Sequence, residues 1–458
     1  MAAFGAPLIA LPSSRKTAFG VMRAAAFAGD AELPAEVDVI VVGGGLNGVM
    51  SAYFLARRGV RVLLCEKAEI ACEASGRAFG WVSELLLDPV KMPLSAESKR
   101  LWRDVHADVG ETGFRQDGLF YFAENREEMD FYADWLASVK GAGAPDTQLL
   151  TAAGVRARFP GGVGDWAGGI LAPSDGCAEP QLAASLVAGA ARRAGAVIMT
   201  GCAVRTLDIA GGRVAGVVTE RGRVRAPQVL FAGNAWSRLF CGNHGIDVPQ
   251  LFFHMTMGRT EPLPDGPVGC GGQESWAWRR QIDGGYSLGR LRGQKVPLTR
   301  DCIQLFSRFI PAMMSEWKNV SLSLGADCFA DWRRSRRWGA NDVSPMERER
   351  ALVPVPDRAV SEMSLKLNCR AFPAFEAARV AECWAGVIAA TPDNMPIASA
   401  VGSLPGFYLV TGCSYGLTWS PALGKLMADI ITGAPPTLDP TPFRHARFFD
   451  GSALRLTH

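Results

Sequence analysis

Apolar and polar positions change rhythm along the chain, and the changes locate its elements. Val37-Asp-Val-Ile-Val-Val42 is a short β-branched run, Leu46 to Arg58 carries apolar residues at helical spacing, and Val60-Arg-Val-Leu-Leu-Cys-Glu66 is apolar again. Short β-branched runs predict buried strands and a 3.6-residue repeat predicts a helix, so together they predict a βαβ unit opening a parallel sheet. The rhythm returns later: Pro180 to Arg193 predicts a helix, Ala196 to Thr200 a strand and Val204 to Val224 a glycine-turned meander. Gln228-Val-Leu-Phe-Ala-Gly-Asn-Ala-Trp-Ser237 reads as a core strand entering a glycine turn. Phe407 to Thr411 reads as a strand before a helix ending near Thr432.

Trp81 to Gly176 and Phe252 to Val380 lack that rhythm and are rich in Trp, Phe and Arg. The expected organisation is an N-terminal extension (1–35), a discontinuous nucleotide-binding domain (36–80, 177–251 and 381–445) and a twice-inserted substrate domain (81–176 and 252–380). Within the second insert, Cys302 to Trp317 is apolar with few charges, and Trp332-Arg-Arg-Ser-Arg-Arg-Trp338 is basic and aromatic. One reading is a peripheral membrane contact. The other is a core helix followed by a solvated loop, favoured because snorkelling arginines commonly cover apolar surface.

Length and composition sharpen this. A chain of 458 residues exceeds one ordinary core, and 48% hydrophobic with 20% charged residues fits a soluble α/β protein. Lys and Arg total 48 against 45 Asp and Glu, so no chain-wide attraction to phosphate polymers exists and nucleic acid is not an expected partner. Eleven cysteines without a Cys-x-x-Cys pair, and five histidines without ligand spacing, predict buried thiols, no structural metal and a reducing, cytoplasmic compartment. Met1 to Pro12 is too short and proline-broken for a bilayer span of about 20 helical residues. Arg15, Lys16 and Arg23, ahead of the first acid at Asp30, faintly resemble a targeting peptide; a frayed extension has the same composition and is the preferred reading.

The chemistry starts at Gly43, Gly45 and Gly48, a G-x-G-x-x-G between strand and helix. The first glycine permits the turn, the second admits pyrophosphate to the backbone and the third allows close helix packing. Leu46 and Asn47 open the helix whose N-terminus faces the phosphates. Glu66, at the end of the second strand and before Lys67, can accept hydrogen bonds from both adenosine ribose hydroxyls. This unit alone serves NAD and FAD equally. Behind it, Ala74 to Gly80 is a small-residue segment in which Ser75, Arg77, Ala78 and Gly80 could line a pyrophosphate and flavin. Val204, Gly233, Trp236, Gly386 and Asp393 are further cofactor candidates. In Gly412-Cys-Ser-Tyr-Gly-Leu-Thr-Trp-Ser-Pro421, Gly412, Ser414, Gly416, Leu417 and Thr418 supply backbone N–H groups and a positive helix end. These suit the negative charge that develops at the N1–C2=O locus of a reduced flavin. A nicotinamide enzyme has no need of them, so the segment selects FAD.

In this order, these residues resemble the D-amino-acid-oxidase-like superfamily of FAD oxidoreductases from about Val37 to Pro442. The segments Gln228–Phe240 with Asp247-Val-Pro249, Asn341-Asp-Val-Ser-Pro345, Phe372-Pro-Ala-Phe375 and Thr411–Pro421 are most similar to the bacterial L-amino acid deaminases. The resemblance implies an α/β fold: a Rossmann-like FAD-binding domain with an inserted α+β substrate domain whose mixed sheet caps the flavin. It further implies oxidation of an L-amino acid to an imino acid that hydrolyses to keto acid and ammonia, electrons passing to O2 or another acceptor such as a quinone. D-amino acid, N-methyl amino acid and opine oxidation remain alternatives on the same fold, with a nicotinamide dehydrogenase or a non-catalytic flavin scaffold outside that class.

By the same resemblance Arg290, preferred to Arg292, matches the arginine that binds the substrate carboxylate, and Tyr415 matches a substrate-facing aromatic. Trp81 stands where the deaminases carry a polar pocket residue. A bidentate guanidinium suits a carboxylate, and the flavin is the electron sink, so no side-chain nucleophile is required. Structural alternatives stand beside each: a surface ion pair for Arg290, core packing for Tyr415 and a hydrophobic plug for Trp81. His254, alone in an apolar stretch, is read as a satisfied core residue. The deaminases carry an N-terminal transmembrane helix that this N-terminus is not expected to provide, which makes oxygen eligible as acceptor. The expected location is cytoplasmic, peripheral to the inner membrane under the membrane-contact reading.

Overall fold

The computed structural model describes residues 27–291, 294–316 and 320–457. Arg292, Trp317 and the extension up to residue 26, with its three basic residues, lie outside them. The run Val39–Val42 is buried throughout because it is the inner strand of a six-stranded sheet. Its parallel partners are Val62–Cys65 and Gln228–Phe231, and beyond them lie Val197–Met199 on one side and Phe407–Thr411 with Ile397–Ala400 on the other. Alternate side chains serve two cores: Val39 and Val41 join one cluster, Ile40 and Val42 the other. That is why the run is β-branched without polar alternation.

Helices Leu46–Ala56, Pro180–Arg193 and Gly416–Thr432 pack on the first face. The meander Val204–Ala210, Arg213–Thr219 and Gly222–Arg225 covers the second, contributing Val217 and Val224 to its core. The expected βαβ unit, the Pro180–Arg193 helix and the meander are all present.

The inserts build a ten-stranded mixed sheet. Most neighbours are antiparallel, but Cys270–Gln273 runs parallel to Leu119–Ala123, and Gln294–Pro297 parallel to Val320–Ser323. An aromatic core of Phe120, Phe122, Phe159, Trp166, Trp278 and Phe372 lies against it. The longest pairing joins Leu251–Thr260 to Val380–Ala390. A Rossmann-like layer carrying a mixed-sheet insert is therefore the architecture expected from the sequence.

The second insert corrects two expectations. Cys302–Trp317 is not a core helix: the chain breaks into helices Arg300–Gln304 and Phe306–Glu316, which bury Leu305 and Phe309 but leave Ile303, Phe306, Met313 and Met314 exposed. Trp332–Trp338 is not a solvated loop either. Arg336 reaches Asp301 and Asp331 at 3.0 Å each, Arg334 pairs with Asp331 and Glu349, and the Trp338 indole donates to the Arg205 carbonyl at 2.7 Å. Asp301 and Asp331 are buried and Arg205 and Glu349 are remote, so no local pattern announces these ties. All eleven cysteines are free thiols. No helix among the described residues is long and apolar enough to cross a membrane.

Candidate active site

The Val39–Val42 strand ends at Gly43, whose φ of +114° turns the chain towards the helix. Only glycine adopts this without strain, and a Cβ here would also press on the Ala232 carbonyl. A Cβ at Gly48 would collide with the Gly43 carbonyl oxygen, so the third glycine sets how closely the helix lies on the strand end. The Leu46 amide donates to Ser75 Oγ at 2.9 Å, tying the loop to the Ala74–Arg77 turn. Asn47 spans the trench differently: Nδ2 donates to Cys413 Sγ at 3.2 Å, while Oδ1 is buried without a hydrogen-bond partner.

Glu66 is buried at the strand end. Oε2 accepts from Gly44 N at 2.6 Å and Oε1 from Ala68 N at 2.8 Å. Burial raises its pKa above the usual carboxylate value, against the lowering effects of Lys67 and the Gly44 amide. Lys67 itself is engaged: its ammonium pairs with Glu73 at 2.8 Å, donates to the Arg350 carbonyl at 2.8 Å and lies 4.2 Å over the Trp236 ring. Trp236 in turn donates to Glu73 at 3.0 Å. Glu73 and Arg350 were not recognised from sequence, because their roles depend on contacts between segments about 280 residues apart, as the Leu352 amide on Glu73 shows.

Arg77 is buried, donating to the Cys72 carbonyl at 3.2 Å and the Ala385 carbonyl at 3.3 Å, and burial lowers its pKa. The Trp384 indole donates back to the Arg77 carbonyl at 3.1 Å. The next wall is pinned by Arg279, wholly buried, which donates to the Phe79 carbonyl at 2.8 Å and pairs with Glu179 at 2.9 Å. Thr418 accepts from Ser83 N at 3.2 Å and donates to the Trp81 carbonyl at 3.3 Å, fastening this wall to the C-terminal helix. Asp175 accepts from the Glu84 and Leu85 amides at 3.0 Å and pairs with Lys99 at 2.8 Å; burial pushes its pKa up to about 6 despite the lysine.

These parts enclose one cavity of about 1100 Å³. It is lined by Gly43, Gly45, Leu46, Asn47, Glu66, Lys67, Ser75, Arg77, Ala78, Gly80, Val204, Gly233, Trp236, Gly386, Ser414, Gly416, Leu417 and Thr418, and beyond them by Trp81 and Tyr415. The structure thus brings together residues from five separated segments. Gly48, Asp393 and Gly412 stand behind the wall rather than on it: Asp393 is clamped by Arg447 at 2.7 Å and accepts from Thr391 and Met395. Arg290 is not on the wall, although Leu291 is; its Nε is buried without a hydrogen-bond partner.

Trp81 meets Phe79 edge-on at 5.0 Å and Tyr121 at 5.9 Å, while its indole donates to the Trp278 carbonyl at 3.3 Å. Tyr415 caps the C-terminal helix, 5.0 Å from the Trp419 ring. Lys91, fully buried, lies 5.3 Å over the Tyr415 ring and donates to the Thr457 carbonyl at 3.2 Å; burial lowers its pKa to about 8. Thr457 and Leu456 reach the wall from the far end of the chain, Thr457 bonding to Asp393 and Asn394. Nothing local in the sequence indicates that return. His254 faces Asp327 at 3.6 Å, and burial lowers its pKa.

A family description, FAD dependent oxidoreductase (DAO), matches residues 38–430. The chain is a member of the DAO family of FAD-dependent oxidoreductases. Among solved structures, the L-amino acid deaminase from Proteus myxofaciens in complex with anthranilate superposes with a TM-score of 0.89 at 31% identity, over 95% of this chain and 97% of that one. The glycine oxidase of Pseudomonas putida is 24% identical over 88% of this chain and 97% of its own length. The mitochondrial sarcosine dehydrogenase of Mus musculus is 25% identical over 91% of this chain. The chain spans less than half of the sarcosine dehydrogenases it matches, 42% of the mouse protein and 26% of the human one.

The trench fits the DAO-family cofactor. Asn47 Oδ1 is an unspent buried acceptor, Glu66 presents a carboxylate beside the glycine turn, and the helix starting at Leu46 directs its N-terminus into the cavity. Gly45 and Leu46 would hold the pyrophosphate, Glu66 the ribose, and the start of the Gly416 helix the pyrimidine edge of the flavin.

Proposed function

We propose that this DAO-family enzyme oxidises an L-amino acid at Cα, giving an imino acid that hydrolyses to the 2-keto acid and ammonia. The supporting observation is that the dinucleotide trench continues, in the same cavity, into a lobe walled by Trp81, Tyr121, Met257, Phe309 and Tyr415. Such walls exclude water and favour the neutral amine over the ammonium, and hydride leaves from the neutral amine. Bound FAD supplies the hydride acceptor. The side chains hold the substrate so that its Cα–H is aimed and its carboxylate neutralised. The 31% identity to an L-amino acid deaminase over nearly the whole chain supports the L-enantiomer, while the glycine oxidase and sarcosine dehydrogenase likenesses support the broader class of amino acid amines.

Arg290 remains the proposed carboxylate anchor, with Arg292 as its substitute. The unpartnered Arg290 Nε next to the wall residue Leu291 supports it. The acceptor is O2 or a quinone. Residues 36–80, 177–251 and 381–445 are assigned to the cofactor and 81–176 and 252–380 to the substrate.

The test is to mix anaerobic holoenzyme with panels of L- and D-amino acids, sarcosine and hydroxy acids, follow flavin bleaching, then admit oxygen and measure peroxide. Bleaching by L-amino acids is expected. If only N-methyl amines, D-amino acids or hydroxy acids bleach the flavin, the reading is wrong. Arg290→Met should raise KM about 10- to 100-fold, the loss of a charge-assisted bidentate contact of roughly 1.5–3 kcal/mol. An unchanged KM moves that role to Arg292.

A further inference from the structure

The exposed apolar residues of the second insert form a continuous face. On the helix Phe306–Glu316, Phe309 turns inward while Phe306, Ile310, Met313 and Met314 turn outward. The strand Val320–Ser323 and the turn after it add Leu322 and Leu324, and the helix Ala326–Arg333 adds Phe329. Met314 and Leu324 are 74% and 71% exposed. Elsewhere exposed residues of this size stand apart, as Val163, Val268 and Val355 do, which is ordinary for a protein surface. A contiguous apolar face of this kind marks an interaction site.

Two observations identify the occupant. First, the face is continuous with the mouth of the cavity: Ile303, Phe306, Met313 and Leu322 belong to both. Second, its surroundings are basic. Residues 300–338 contain seven Lys and Arg against four Asp and Glu. Two of those acids, Asp301 and Asp331, are buried and bound to arginines, whereas Arg333 projects outward. A basic rim around an apolar centre complements an anionic lipid surface, and two such rims facing each other in a dimer would repel.

We propose that this face docks on an anionic lipid bilayer, its apolar side chains at the boundary of headgroups and acyl chains, so that the cavity mouth opens into the membrane interface. The inference does not depend on which amine is oxidised.

The test is co-sedimentation of FAD-loaded protein with vesicles of phosphatidylcholine mixed with phosphatidylglycerol, and with vesicles of phosphatidylcholine alone. Binding should favour the mixed vesicles, and Met314→Glu/Leu324→Glu/Phe329→Glu should weaken it by at least about tenfold. None of these three residues lines the cavity, so flavin content and turnover with a soluble dye should match the parent. Equal binding by parent and variant overturns the proposal, as does failure of the parent to bind. So does a parent dimer, seen by light scattering, that the variant converts to monomer, since a second copy would then be the occupant. As a check that needs no charged variant, lipid with brominated acyl chains should quench fluorescence from Trp332, which is 41% exposed on the same helix as Phe329. Quenching undiminished in Trp332→Phe argues against this orientation and overturns it.

Discussion

The dinucleotide trench and the apolar lobe are two ends of one cavity, yet they are built by opposite means. The trench is made of backbone: a turn of consecutive residues from Gly43 to Gly48, the start of a helix, and the ends of parallel strands. The lobe is made of side chains, Trp81, Tyr121, Met257 and Phe309, that stand on elements scattered through both inserts. A backbone site tolerates almost no alteration at its glycines, whereas a side-chain site should change its preferences before it loses its occupant.

The largest test of that contrast is Gly48→Val against Met257→Ala. The first drives a side chain into the Gly43 carbonyl and should leave protein with essentially no bound flavin, read as visible absorbance after purification. The second enlarges the lobe and should retain flavin while shifting KM among substrates of different size. A Met257 variant as colourless as the Gly48 one would break the comparison.

A smaller effect is expected at Glu66→Gln. The amide keeps one acceptor oxygen but loses the charge, and FAD affinity of the apoprotein should fall about tenfold or somewhat more, roughly 1.5–2 kcal/mol, in a fluorescence titration. An unchanged Kd would mean that the carboxylate serves only the amides of Gly44 and Ala68.

The smallest concerns the meander beneath the trench sheet. His244 accepts from the Leu207 amide at 3.3 Å, and burial, with Arg337 nearby, lowers its pKa to about 4. Between that value and about 6.5 the unfolded chain binds a proton that the folded chain excludes. This contribution is therefore fully present above pH 6.5 and is lost as pH falls towards and through 4. Urea unfolding at pH 7 and pH 5 should differ by up to about 2 kcal/mol from this residue. His244→Gln should flatten that difference; an unaltered slope would assign it elsewhere.

Legibility followed the same division. The strand Val39–Val42, the glycine turn, Glu66 and the helix from Gly416 could be read because their signals lie within a few adjacent residues. Helix Pro180–Arg193 was legible to the residue. The tie of Lys67 and Trp236 to Glu73, the return of Thr457 to Asp393, and the ten-stranded sheet were not, since each joins residues far apart in the chain. The helix Phe306–Glu316 misled for a different reason: its composition is that of a core helix, and only the fold decides that its apolar stripe faces outward.

The strand Val380–Ala390 has a practical consequence for recombination. It pairs along its length with Leu251–Thr260 in the large sheet, while Trp384, Ala385 and Gly386 press on Arg77 in the trench. A chimera joined at residue 380, where the sequence rhythm changes, would separate a strand from its partner and the trench from its brace. Exchanging substrate lobes between relatives therefore requires moving residues 251–260 and 380–390 as one cassette, with Arg77 matched to the strand it receives.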